Sequence, residues 1–132
     1  MRFPILASAL LLALCLVTAG CQGQKAEGHA VSGTVSFQGK PVPRGSLLFS
    51  PDSQKGNSGP AISFEIVDGH YGEQEQTPRL HQGGAYRVRI SGFDGNANPA
   101  AELPLGRPLF QDYTTSVDLP KEDAPETDFE LP

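Results

Sequence analysis

Downstream of residue 21 no stretch of this chain repeats with the period of a helix. The apolar residues instead recur at every second position, in short runs cut by turn residues. That pattern belongs to half-buried β-strands, whose side chains alternate between two faces. Val31, Gly33, Val35 and Phe37 share one face, while Ser32, Thr34 and Ser36 share the other. Gln38-Gly39-Lys40-Pro41 breaks this run, and Ser46-Leu47-Leu48-Phe49-Ser50 makes a second strand stopped by Pro51. Ile62, Phe64 and Ile66 alternate with Ser63 and Glu65, and Asp68-Gly69 then carries a tight-hairpin signal. Tyr71 opens a short fourth strand. Tyr86, Val88 and Ile90 oppose Arg87, Arg89 and Ser91 in the clearest strand of all. Tyr113, Thr115, Val117 and Leu119 form a sixth, and Thr127, Phe129 and Leu131 a seventh. With 15 Gly, 12 Pro and no Trp, turns are plentiful. Seven short strands in a little over a hundred residues predict an all-β domain, a seven-stranded antiparallel β-sandwich. Its expected core is Val31, Val35, Phe37, Leu48, Ile62, Phe64, Ile66, Tyr86, Val88, Ile90, Val117, Phe129 and Leu131.

The first twenty residues are of another kind. Arg2 precedes an almost unbroken apolar run from Ile5 to Val17, and Thr18-Ala19-Gly20 lead into Cys21. Charged start, apolar centre and small residues at the cut are the order of an export signal. The cysteine after the small residues makes it resemble a bacterial lipoprotein signal, in which that cysteine is acylated and becomes the first mature residue. Thr18 stands where this signal class prefers an aliphatic residue. An ordinary cleaved signal and an uncleaved anchor are the other readings, although the run falls short of the roughly 20 apolar residues of a comfortable span. The expected organisation is therefore a signal helix over 1–20, a flexible tether over 21–29 and one domain over 30–132. The partner it implies is a membrane, held through a lipid on Cys21.

Cys15 leaves with such a signal, so the mature domain has no pair of thiols for a disulfide and must be held by its core. Loss of Arg2 leaves nine basic residues against fifteen acids. That balance argues against nucleic acid, which demands clustered Lys and Arg, and against adhesion to anionic lipid.

A connection of about twenty residues, 92–112, is long for a compact domain and is read as functional or as loosely solvated. It carries Phe93, Asp94, Asn96, Asn98, Glu102, Phe110 and Asp112. Aromatic rings among amides and carboxylates suit contact with a glycan or peptide, so Phe93, Asp94, Asn96, Asn98, Phe110 and Asp112 are the candidate ligand residues. The plainer reading is a solvated loop whose Phe93 and Phe110 tuck back onto the sandwich. Its acids lack the regular spacing of a calcium loop. Arg87 and Arg89 share a face and can pair with acids on the next strand.

Several short motifs then fall into a familiar order. Val31-Ser32-Gly33-Thr34-Val35-Ser36-Phe37-Gln38-Gly39-Lys40-Pro41-Val42 resembles the opening of carboxypeptidase-regulatory-like, transthyretin-like domains. Asp68-Gly69-His70-Tyr71 resembles their hairpin, Gly84-Ala85-Tyr86-Arg87-Val88 their central strand, and Phe129-Glu130-Leu131 their closing strand. The resemblance covers about residues 30–131. It implies a transthyretin-like sandwich of mostly non-catalytic use, as a binding, spacer or stabilising module, without a cofactor and with an envelope protein or glycan as partner. The alternative class is a small hydrolase or metal-dependent enzyme. Transthyretin-related hydrolases end in a Tyr-Arg-Gly-Ser-like tetrapeptide, whereas this chain ends Phe129-Glu130-Leu131-Pro132. Iron held by Tyr71, Tyr86, Tyr113 and by His29, His70, His81 is allowed by the count alone, but no His-x-His pair occurs. No Gly-x-Ser-x-Gly elbow is present either. The histidines read as surface or loop residues, so no catalytic or metal-binding residue is expected.

Overall fold

The computed structural model describes residues 27–73 and 79–132. The expected signal over 1–20, Cys21 and most of the tether lie outside the described residues. Within them the chain is mostly β and contains no α-helix; two short 3-10 turns, Ser53–Lys55 and Pro99–Ala101, are the only helical pieces. Ten strand segments are present: β1 (His29–Ala30), β2 (Gly33–Phe37), β3 (Lys40–Pro41), β4 (Arg44–Pro51), β5 (Ile62–Val67), β6 (His70–Tyr71), β7 (Leu80–His81), β8 (Gly84–Phe93), β9 (Tyr113–Leu119) and β10 (Phe129–Leu131). The count exceeds the seven expected because two-residue pairings are too short to leave a period in the sequence. His29 belongs to β1 rather than to a tether.

One eight-stranded sheet runs β10-β2-β6-β5-β4-β8-β9, with β3 added to β2, while β1 and β7 form a separate two-stranded pair. Its pairs are antiparallel except one. β10 lies parallel to β2, Phe129 opposite Val35 and Leu131 opposite Phe37, a departure from the all-antiparallel expectation. The hairpins follow their turn chemistry. Gln38-Gly39 joins β2 to β3 and Asp68-Gly69 joins β5 to β6, each as two residues at positive φ. This turn matches the right-handed twist of the flanking strands.

The sheet curls around a single core. Phe49 in β4 lies with its ring centre 5.7 Å from Phe64, 6.1 Å from Tyr71, 6.3 Å from Tyr86 and 6.1 Å from Phe129. Phe129 belongs to β10, four strands away along the hydrogen-bonded path, so only curvature brings the two rings together. The buried Tyr71 hydroxyl reaches the same side, donating to the Thr127 carbonyl at 2.5 Å. Gly33 lets the two backbones meet there; a β-carbon at that position would stand 2.2 Å from the Thr127 oxygen.

Most of the expected core is found buried, including Val31, Val35, Ile62, Phe64, Ile66, Tyr86, Val88, Ile90 and Leu131. Leu48 is a correction. It is 38 % exposed, and its neighbours Leu47 and Phe49 are fully buried instead. Two adjacent leucines satisfy an alternating pattern in either phase, and a shift of one residue exchanges the faces. Pairing decides the phase: Leu47 lies opposite Phe64 and Ile90, and Phe49 opposite Ile62 and Val88. Phe37, Val117 and Phe129 are only partly buried. Tyr71, Val42 and Leu119 join the core, having stood outside the expected set.

The phase of β4 makes a direct prediction. Leu47→Ala should cost about 2–5 kcal/mol of unfolding free energy, the range for truncating a buried leucine. Leu48→Ala should stay within about 0.5 kcal/mol of the parent, as surface changes do. Denaturant titration of both variants checks this, and comparable losses would contradict the register.

Candidate functional site

β8 runs on through Phe93, so the long connection proper covers 94–112. It is folded, and its polar side chains do the folding. Asp94 Oδ1 accepts the backbone N–H of Asn96 at 2.9 Å and of Arg107 at 3.0 Å. These donors, Asn96 first, hold the Asp94 carboxyl below its ordinary range. Gly106 takes positive φ beside them, where a β-carbon would stand 1.9 Å from Asp94 Oδ1. Asn98 caps the Pro99–Ala101 turn through Oδ1, and its backbone pairs with Leu103 in both directions. Asp112 closes the loop against β8. Its Oδ1 accepts from Ser91 Oγ at 2.6 Å, and its Oδ2 accepts Arg89 Nε at 2.8 Å together with Arg89 Nη2. The Ser91 hydrogen bond, then Arg89, lowers the Asp112 pKa. Arg89 thus finds an acid just ahead of the next strand, as its position on the outer face of β8 suggested.

Of the six candidate ligand residues, the fold brings three around one hollow. Phe93, Phe110 and Asp112 line it with Ser91, Gly92, Pro108 and Gln111. Asp94 lines a second hollow with Phe37, Gln38, Lys40, Pro41, Pro43 and Leu109. Asn96 and Asn98 line neither. Phe110 tucks back, as the plainer reading holds: its ring centre is 5.0 Å from Phe37, and its edge sits over Gly92. Phe93 bridges to Pro108. The β2–β3 hairpin residues of the second hollow carried no ligand signal in the sequence, because they lie more than fifty residues before Asp94 in the chain.

The histidines divide three ways. His70 is exposed and stands 3.8 Å from Glu73. His29 and His81 face each other across β1 and β7, ring centres 5.7 Å apart. His81 is fully buried, which corrects its reading as a surface or loop residue. A two-residue strand places it under β1, and its polar atom serves the turn: Nδ1 accepts the Gly83 N–H at 3.0 Å. That bond puts the neutral ring's proton on Nε2, which is buried without a hydrogen-bond partner. The carbonyls of Ala30 and Glu122 lie near the ring. Burial, then the neighbouring His29, pushes the His81 pKa down, opposed in part by those carbonyls and by Asp123. Among the described residues no group of three His, Cys, Asp or Glu side chains gathers as metal ligands. Tyr71 and Tyr86 are core residues, and Tyr113 is 36 % exposed.

Searches of protein-family models, of curated proteins and of solved structures each found no match to this chain.

Two predictions follow from this geometry. His81 has a folded-state pKa below its ordinary 6.5, so the unfolded chain binds more protons as pH falls through that value. Its contribution to stability is complete above 6.5 and is lost progressively toward its lower folded value. Thermal melts from pH 7 to pH 5 should show a falling midpoint that His81→Gln flattens. Asp94 and Asp112 act in a separate window, below their ordinary 3.8. At Gly92 a β-carbon would lie 2.6 Å from Phe110 ring atoms. Gly92→Ala should therefore cost about 1–3 kcal/mol by overpacking, and Phe110→Leu in the same chain should recover part of it. An additive double variant would separate Phe110 from Gly92.

Proposed function

We propose that this chain is an exported lipoprotein, acylated on Cys21, whose domain is a transthyretin-like β-sandwich with a non-enzymatic binding or structural role at the cell envelope. The sequence of charge, apolar run, small residues and cysteine supports the anchor. The curl of the sheet around Phe49 and the strand-by-strand order of the quoted motifs support the sandwich. One observation carries the binding role over a catalytic one. Asp94, Asn98 and Asp112 are engaged in holding the 94–112 connection and its neighbours in place. A loop ordered this way presents a fixed relief of Phe93, Pro108, Phe110 and Gln111, which suits recognition of an envelope protein or a glycan. The tether from Cys21 to Gly28 spans at most about 25 Å at roughly 3.5 Å per residue, so the domain works close to the bilayer.

The anchor is tested by fractionation. The parent should partition with membranes and Cys21→Ser should leave them, with slower or incomplete processing seen as altered mobility. A variant that stays in the membrane fraction with unchanged mobility would end the lipoprotein reading. The binding role is tested by in-cell crosslinking through residues 92–112. Capture of a protein or retention on glycan material supports it, whereas stoichiometric iron or zinc in the purified chain would favour the enzymatic alternative.

A further inference from the structure

The hydrogen-bonded path of the large sheet has two ends, β9 and β10, and both wall the same open groove. The curl that closes the core therefore stops short of closing the sheet. Among the described residues β9 pairs on one side alone, with β8 from Tyr113 opposite Ile90 to Leu119 opposite Gly84. Its seven residues leave alternate N–H and C=O groups facing the groove. β10 likewise pairs on one side, with β2. Long edges of this kind are usually blunted by Lys, Pro or a bulge. β9 has none of these; its sequence is Tyr-Thr-Thr-Ser-Val-Asp-Leu, with Asp118 as its one charge.

The groove has a definite chemistry. Its floor is apolar, formed by Val117 and Phe129, two of the three expected core residues that the fold leaves half-buried. Its rim carries Asp118, Glu126, Asp128 and Glu130, all exposed, and no Lys or Arg lines it. Asp128 spends one oxygen on the Thr34 N–H, and Arg87 lies one strand away opposite Ser116, so the rim keeps a net negative charge.

We propose that the β9–β10 groove binds an extended, lysine- or arginine-bearing segment of another protein, which adds a strand to the edge of β9. Main-chain bonds to the edge supply the affinity. Alternate apolar side chains of the segment rest on Val117 and Phe129, and its cationic side chains meet the acidic rim. The site is separate from the 94–112 connection and does not depend on the lipid anchor.

The test uses the full-length chain in detergent and a labelled nine-residue peptide alternating lysine with valine. Two further versions are N-methylated, one at the valine nitrogens and one at the lysine nitrogens. The parent peptide should bind and slow hydrogen exchange at the β9 amides, and at least one N-methylated version should bind about tenfold more weakly. Asp118→Asn with Glu130→Gln should weaken binding about five- to tenfold, whereas Glu65→Gln on β5 should not. The proposal is overturned if the parent peptide fails to bind, or if both methylated versions match it. It is equally overturned if the β9 amides are already fully protected without peptide, since a second copy or another part of this chain would then hold the edge.

Discussion

Phe49 is the contact on which the shape of this domain depends. Four rings from four other strands surround it, and one of them, Phe129, comes from the far end of the sheet. A flat eight-stranded sheet would leave that face to water. Wrapping it about one aromatic side chain buries large apolar area at once, and aromatic pairs add edge-to-face contacts to the burial. Everything else is arranged to permit the wrap. The right-handed twist of the hairpins is set by Gln38-Gly39 and Asp68-Gly69, and Gly33 lets the Thr127 backbone approach without a side chain between. Residues 27–132 contain no cysteine, so no disulfide assists within them and this burial carries the stability of the domain.

The same wrap explains where the open surfaces lie. The core-facing side chains of the middle strands β4, β5 and β8, such as Leu47, Phe49, Ile66, Val88 and Ile90, are buried. On the end strands Val117 and Phe129 stay half-exposed, in a groove where β9 and β10 each pair on one side alone among the described residues. The connection between β8 and β9 solves a different problem. It is too long to be left without internal bonds, and its carboxylates and amides supply them, with Asp94 organising its start and Asp112 fastening its end to Arg89 and Ser91.

Legibility in the sequence followed the length of each element. β5, β8 and β9 repeat their period several times, so their faces could be read directly. Leu47 and Leu48 could not be assigned, because two leucines side by side fit either phase and only the strands opposite distinguish them. β1, β6 and β7 are two residues each, too short to show any period, and the burial of His81 and Tyr71 was hidden with them. In the candidate loop, residue types were legible and their engagement was not. Asp94 and Asp112 read as free ligand groups until their partners, thirteen and twenty-one residues away, came into view.

By itself the sequence determined that the chain makes strands, where its tight turns fall, and that no disulfide can form within residues 27–132, which contain no cysteine. These are local properties, written in side-chain alternation, in Gly and Pro, and in the cysteine count. The tertiary structure alone decided which leucine of β4 is buried, that β10 lies parallel to β2, and that β9 and β10 face one another across a groove. Each of these depends on contacts between residues far apart in the chain. The free energy that selects among them is the burial of a shared apolar face, and no short stretch of sequence contains that face whole.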